Sequence, residues 1–291
     1  MKLKWGVFFF LFMISLTWAG AFDDRYPSAR ATAMSNAYVA IANDVWASYY
    51  NPAGLAQLNN YAAGFTYQRL FNLSFFKNVF FSAAMPLPGS FGGLSVTFEN
   101  FGVEYEGEWM SSEYTAKLSH GFYLLNDIHS SLSIGYNLNY FHWKLGQSIE
   151  GLQLGSASTF GLDVGIQASI YHRTYLGVFV YNLNAPSFGI DLQRELPQRI
   201  VAGAAYRPLS GLVTTLVMEK TIGTDIIVEG GFEYYPVDFF SLRMGASTMP
   251  NRISVGFGLN YAGFVIDYAF RNHPVLAETH QFGISYNFGG K

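Results

Sequence analysis

From about Asn60 to Phe288 the chain repeats one pattern: large apolar residues alternate with small or polar ones, and turn residues separate the repeats. The last repeat is the plainest. Phe282, Ile284, Tyr286 and Phe288 fall on one face of a strand, and Gln281, Gly283, Ser285 and Asn287 fall on the other. Side chains alternate across a strand with period two, so each repeat has an oily face and a wet one. A soluble sandwich would bury the oily face against another sheet. A membrane barrel turns it outward to lipid and keeps the wet face on the lumen.

The N-terminus and the composition point to the barrel. Residues 1–4 are short and basic, an apolar run follows from Trp5 to Leu16, and Ala19-Gly20-Ala21 supplies small residues in signal-peptidase spacing. Residues 1–21 therefore read as a cleaved secretory signal, with the mature chain starting near Phe22. No later stretch is apolar and long enough to span as a helix, so a membrane-resident mature chain must close its sheet. The absence of cysteine excludes a lipoprotein and a disulfide-framed secreted domain. Aromatics reach 18%, with 20 Tyr and 27 Phe, as expected where rings sit at both membrane interfaces. Charged residues are only 13%, too few to coat a large water-exposed surface. A net charge of -3 with no basic block argues against nucleic acid as a partner.

About fourteen candidate strands can be laid out, the first near residues 61–71 and the last at 279–288. An even number brings both ends of the barrel to one side. Links of one parity are short (86–89, 126–127, 172–173, 208–210, 236–238 and 261–263), whereas the other parity contains the longer 102–112, 144–158, 183–196 and 271–278. Short periplasmic turns with longer outer loops are the outer-membrane pattern. Only the second strand blurs the faces, since Phe75, Phe76, Val79, Phe80 and Phe81 fall on both. The predicted fold is all-β: an antiparallel transmembrane β-barrel of about fourteen strands over residues 60–291, in the outer membrane. A short helical hatch or plug over residues 22–59 precedes it.

Within that segment, residues 28–43 are Ala-rich, with Ala29, Ala33 and Ala37 near helical spacing, which predicts a short helix capped by Ser28 or a polar neighbour. Pro52 should end any helix before it, and Gly54 suits a turn. The run Ser28-Ala29-Arg30-Ala31-Thr32-Ala33-Met34-Ser35-Asn36-Ala37-Tyr38-Val39-Ala40, then Asn43-Asp44, then Asn51-Pro52-Ala53-Gly54-Leu55, resembles the N-terminal region of the FadL superfamily. These are outer-membrane barrels whose N-terminal segment folds into the lumen. The tail, Gly263-Phe264-Val265-Ile266-Asp267-Tyr268-Ala269-Phe270 and then Thr279-His280-Gln281-Phe282-Gly283-Ile284-Ser285, is similar to the PorV/PorQ branch. The resemblance implies that Asn51, Pro52, Ala53 and Gly54 shape the hatch near the lumen exit, with Asn51 hydrogen-bonding hatch or wall backbone. A plain structural turn that seats the plug is the alternative for the same residues. Two departures stand out: the outer loops are short for gathering a ligand, and Gly289-Gly290-Lys291 follow the final Phe288.

Glu99, Lys117, Asp163, Glu229, Glu233, Arg243 and Asp267 are the expected inward charges. Glu233 and Arg243 lie equidistant from Asp238 across a tight turn, making them cross-strand neighbours on the lumen side. A gate or relay is one use for such a pair; a structural ion pair is the reading taken. His120, His129, His142, His172, His273 and His280 are scattered without metal-ligand spacing, so no metal or cofactor is expected. No catalytic residue is assigned: His142, with serines near it, is read as an interfacial histidine rather than half of a Ser–His hydrolase pair. Strand glycines such as Gly92-Gly93 and Gly230-Gly231 are expected where the sheet bends or the hatch comes close.

Two functions compete. Similarity to PorV/PorQ implies a partner-binding accessory of an outer-membrane secretion machine of the type IX kind, meeting a large translocon or secreted cargo. The alternative is passive transport of a hydrophobic small molecule past the hatch, with Met34, Tyr38, Val45 and Trp46 lining its pocket. In either case outer-membrane lipid surrounds the barrel.

Overall fold

The computed structural model describes residues 22, 25–147, 151–189 and 194–289. The expected secretory signal, residues 1–21, lies outside them. Along the chain come β1 (Tyr61–Arg69), β2 (Phe76–Pro86), β3 (Gly93–Tyr105), β4 (Glu108–Asn126), β5 (Ser130–Leu145), β6 (Ser156–Ile170) and β7 (Thr174–Tyr181). After a two-stranded hairpin of β8 (Ser187–Phe188) and β9 (Arg194–Glu195) follow β10 (Arg199–Leu209), β11 (Leu212–Thr221), β12 (Ile226–Val237) and β13 (Phe240–Ser247). The last three are β14 (Arg252–Tyr261), β15 (Phe264–Arg271) and β16 (Thr279–Phe288). All but β8 and β9 join in one closed antiparallel barrel of fourteen strands, as the alternation predicts. Pairing of Tyr61 with Phe288 and of Arg69 with His280 closes the ring, so no barrel strand is left with an open edge.

The two faces separate as the period-two pattern requires. On β16 Phe282 and Ile284 are exposed on the outside, whereas Gln281 is fully buried inside. The second strand also resolves: Phe81 points out at 46% exposure, and Phe80 points in, 1% exposed, edge-on to Tyr49 of the plug at 5.6 Å. An aromatic on the wet face is thus a contact surface for the plug.

At one end every connection is a turn of two to six residues. The other end carries the longer loops, 146–155, 182–198 and 272–278. Here one expectation needs correction. Residues 102–112 are not a loop: β3 and β4 continue past the neighbouring strands and pair to Tyr105↔Glu108, leaving only Glu106 and Gly107 in the turn. Both take positive φ, 51° and 87°, the left-handed conformation of a tight hairpin.

Residues 25–57 fold inside the barrel. Helix α1 (Ala29–Ala33) is capped by Ser28, whose hydroxyl accepts the Ala31 N–H at 3.2 Å. It spans only five residues, shorter than the Ala-rich run suggests. Ser35 and Asn36 adopt φ of 53° and 65°, and the Asn36 N–H returns to the Ala31 carbonyl at 2.8 Å, a left-handed stop. After turns comes α2 (Ala47–Tyr50), then a 3-10 segment over Pro52–Gln57 that Asn51 caps. The main hydrophobic core of the molecule lies between this plug and the wall. It joins Met34, Tyr38, Val45, Trp46, Tyr49, Tyr50 and Leu55 to Phe80, Ala84, Tyr175, Ala205 and Val213.

Candidate functional site: the lumen between plug and wall

The inward wall positions are small, and where the plug lies closest they are glycine. Gly93, Gly121, Gly135 and Gly165 stand opposite one another in register across β3, β4, β5 and β6, forming one transverse row. The Asn51-Pro52 turn rests on this row. A Cβ on Gly121 would lie 2.2 Å from the Pro52 carbonyl oxygen, on Gly135 2.3 Å from the Pro52 carbonyl carbon, and on Gly165 2.1 Å from Asn51 Oδ1. A second pair, Gly231 opposite Gly245, receives Met34 in the same way.

Asn51 itself is fully buried. Its Nδ2 donates to the carbonyls of Val39 at 3.0 Å, Ile166 at 2.9 Å and Val178 at 3.3 Å, and its Oδ1 accepts the Ala53 N–H at 3.2 Å. Ile166 and Val178 are direct partners on β6 and β7, so one amide joins two wall strands to the plug.

Charge is distributed in clusters that tie plug to wall. Toward the short-turn end, Arg30 of the plug reaches Glu233 through two bonds, 2.8 and 2.6 Å, and Arg243 Nε reaches the same carboxylate at 2.7 Å. Arg243 Nη1 continues to Asp267 at 2.6 Å. Glu233 and Arg243 are therefore cross-strand neighbours on the lumen side, joined by a third charge that comes from the plug. Toward the long-loop end, Arg25 bridges Glu99 and Glu113 at 2.8 Å each, and Tyr49 donates to Glu99 at 2.7 Å. Lys117 lies 3.5 Å from Asp163, and Arg199 lies 3.4 Å from Glu219. Burial pushes the Tyr49 phenol well above its usual range, with Glu99 adding to the effect, so it remains a donor.

A cavity of about 620 Å³ opens at the long-loop end, between Phe22, Arg25, Tyr26 and Tyr49 of the plug segment and a wall that includes Lys117, Phe141, Tyr181 and Ile227. Its volume falls within the span usual for small-molecule sites, about 300–1,000 Å³. None of Met34, Tyr38, Val45 and Trp46 lines it. Val45 and Trp46 border a smaller cavity of about 200 Å³ at the short-turn end, beside Arg30 and Asp44. Met34 and Tyr38 are packed fully into the core, Met34 against the glycine pair and Tyr38 edge-on to Tyr50 at 5.2 Å.

Sequence reasoning missed Glu113, Arg199 and Glu219 on the wall, although each keeps the inward parity of its strand and could have been found by extending it. Arg25 and Arg30 lie on the plug, where no period tells which way a side chain points. On the outer face His142 does meet a serine: Nδ1 lies 2.8 Å from Ser158 Oγ, with the Tyr140 hydroxyl 3.0 Å from the same atom. No carboxylate or amide completes the pair among the described residues, and it is exposed at the rim.

No family model and no curated protein matches the sequence. Solved structures do match in fold. The Pseudomonas putida toluene transporter TodX superposes with a TM-score of 0.63 at 12% identity, covering 91% of this chain and 99% of that one. The CymD monoaromatic hydrocarbon channel gives 0.65 at 10% identity, covering 93% and 100%. A Pseudomonas aeruginosa FadL homologue gives 0.61 at 10%, covering 91% and 99%. The chain therefore shares the fold of these transporters and channels.

Proposed function

We propose that this protein is an outer-membrane barrel that takes a small hydrophobic molecule into its lumen from the long-loop side and releases it past the plug. The observation that carries this reading is the 620 Å³ cavity at that end, where Phe22, Tyr26, Tyr49, Phe141 and Tyr181 offer ring faces for an apolar body. The paired charges beside them would orient a polar substituent. Membrane residence is supported by the outward band of Phe, Leu, Ile and Tyr on every strand, and fold likeness to a toluene transporter and a hydrocarbon channel fits the same use. Uptake of a hydrophobic fluorescent probe into proteoliposomes tests it. Ile227→Trp, which intrudes on the cavity, is expected to cut uptake several-fold, while Phe81→Trp on the outer face leaves it unchanged. Equal uptake by both variants would count against the cavity as the path.

The similarity to PorV/PorQ supplies a second reading, a partner-binding accessory of a secretion machine. What favours it is the tethering of the plug to the wall through Arg25, Arg30 and Asn51, which suits a barrel that works by its rim. The fold likenesses give this reading no support of their own. Pulldown in mild detergent separates the two: a stoichiometric large partner supports the accessory, and a lone barrel carrying an apolar ligand supports the channel.

A further inference from the structure

The backbone nitrogen of Phe22 donates to Glu113 Oε2 at 2.6 Å. The Phe22 ring sits edge-on to Phe141 at 5.1 Å and to Phe188 at 5.5 Å, with Leu196 in the same cluster. Three elements of the long-loop end thus converge on one residue: β4 through Glu113, β5 through Phe141 and the β8–β9 hairpin through Phe188. The electrostatics around it are uneven. Glu99 and Glu113, 6% and 7% exposed, share the single guanidinium of Arg25, whose Nη2 uses the same Glu113 oxygen that Phe22 does. Buried carboxylates are ordinarily matched by cations, yet in an uncut chain Phe22 offers only a neutral amide.

Cutting the chain after Ala21 changes this balance. Hydrolysis of the Ala21–Phe22 peptide bond consumes one water, leaves a carboxylate on Ala21 and frees an amine on Phe22, which takes up a proton at neutral pH. We propose that Glu113 is the built acceptor for this new α-ammonium, so that signal removal completes a clasp of two acids and two bases at the mouth of the barrel. The charge created by processing falls where the unprocessed chain lacks one. The aromatic seat fixes the terminus, and the terminus fixes the hairpin over the cavity. Processing is thereby coupled to ordering of the long-loop end: the precursor can dock the ring but not the charge. The proposal rests on cleavage after Ala21 and is independent of what the lumen carries.

The test uses the mature protein in mild detergent. Its N-terminus is sequenced, then its α-amine is titrated at neutral pH with an amine-reactive ester and the labelled terminal peptide is quantified by mass spectrometry. The terminus is expected to be Phe22. A charge-assisted, part-buried hydrogen bond should slow its labelling on the order of tenfold in the folded barrel relative to the urea-unfolded chain. Glu113→Gln, with folding checked by heat-modifiable gel mobility, should recover most of the rate. A terminus at another residue would overturn the proposal, as would a folded wild-type amine that labels as fast as the unfolded one. An amine that stays protected in a folded Glu113→Gln would assign the protection to the aromatic seat and overturn the proposal. Should Glu113→Gln not fold, Glu113→Asp, which withdraws the carboxylate by one methylene, carries the same comparison.

Discussion

Asn51 illustrates how much a single amide can organise when every group near it is backbone. Its NH2 bonds to three carbonyls, one from the plug and two from adjacent wall strands. Carbonyl oxygens have a second lone pair, so those on β6 and β7 accept this bond in addition to their sheet partners. Asn51→Ala should cost about 1–3 kcal/mol, the penalty of leaving the buried Ala53 N–H without the oxygen it donates to. Asn51→Asp should cost more, because an acceptor would then face acceptors. Thermal unfolding in detergent measures both, and an aspartate variant as stable as wild type would show that the carbonyls are indifferent to this contact. The residue type and the Asn-Pro spacing were visible in the sequence; the acceptors were not, since the two on the wall lie more than a hundred residues from Asn51 along the chain and Val39 sits in a plug without a period.

At the scale of elements, the barrel wall is fitted to its plug through glycine. Four strands present glycine at the same level, and the backbone of Asn51 and Pro52 occupies the space that side chains would fill. Gly135→Val is therefore expected to lift the turn off the wall, with a cost typical of overpacking, about 1–3 kcal/mol. Faster amide exchange over residues 51–57 would report the displacement, and unchanged exchange would mean the wall yields instead. Strand glycines are expected where the sheet bends or the plug comes close; the cross-strand register shows that the row at Gly93–Gly165 serves the second purpose. The β3–β4 hairpin teaches the reverse lesson. Alternation fades toward its tip, with Tyr105, Trp109 and Met110 all exposed, so polarity alone suggested a loop where the backbone remains paired.

Over the whole molecule, the plug is held in the ring by a few charged contacts and by three apolar clusters, one of them much larger than the others. Glu233 is fully buried between Arg30 and Arg243 and is the wall's grip on the plug at the short-turn end. Glu233→Ala would leave two guanidinium groups facing each other, a loss of about 3–5 kcal/mol for a buried pair broken on one side. In planar bilayers this variant is expected to show intermittent ion-conducting openings that the wild type lacks; a quiet variant would mean the apolar core alone retains the plug. The closed barrel, its strand number of about fourteen and the inward side of most wall residues were legible in the sequence. Each follows from a period-two pattern that has no second solution once the oily face must point outward. Which plug residues meet the cavity and which meet the wall emerged with the assembled barrel. The plug has no repeating period, and its arginines acquire partners only when strands far apart in the chain are brought round into one ring.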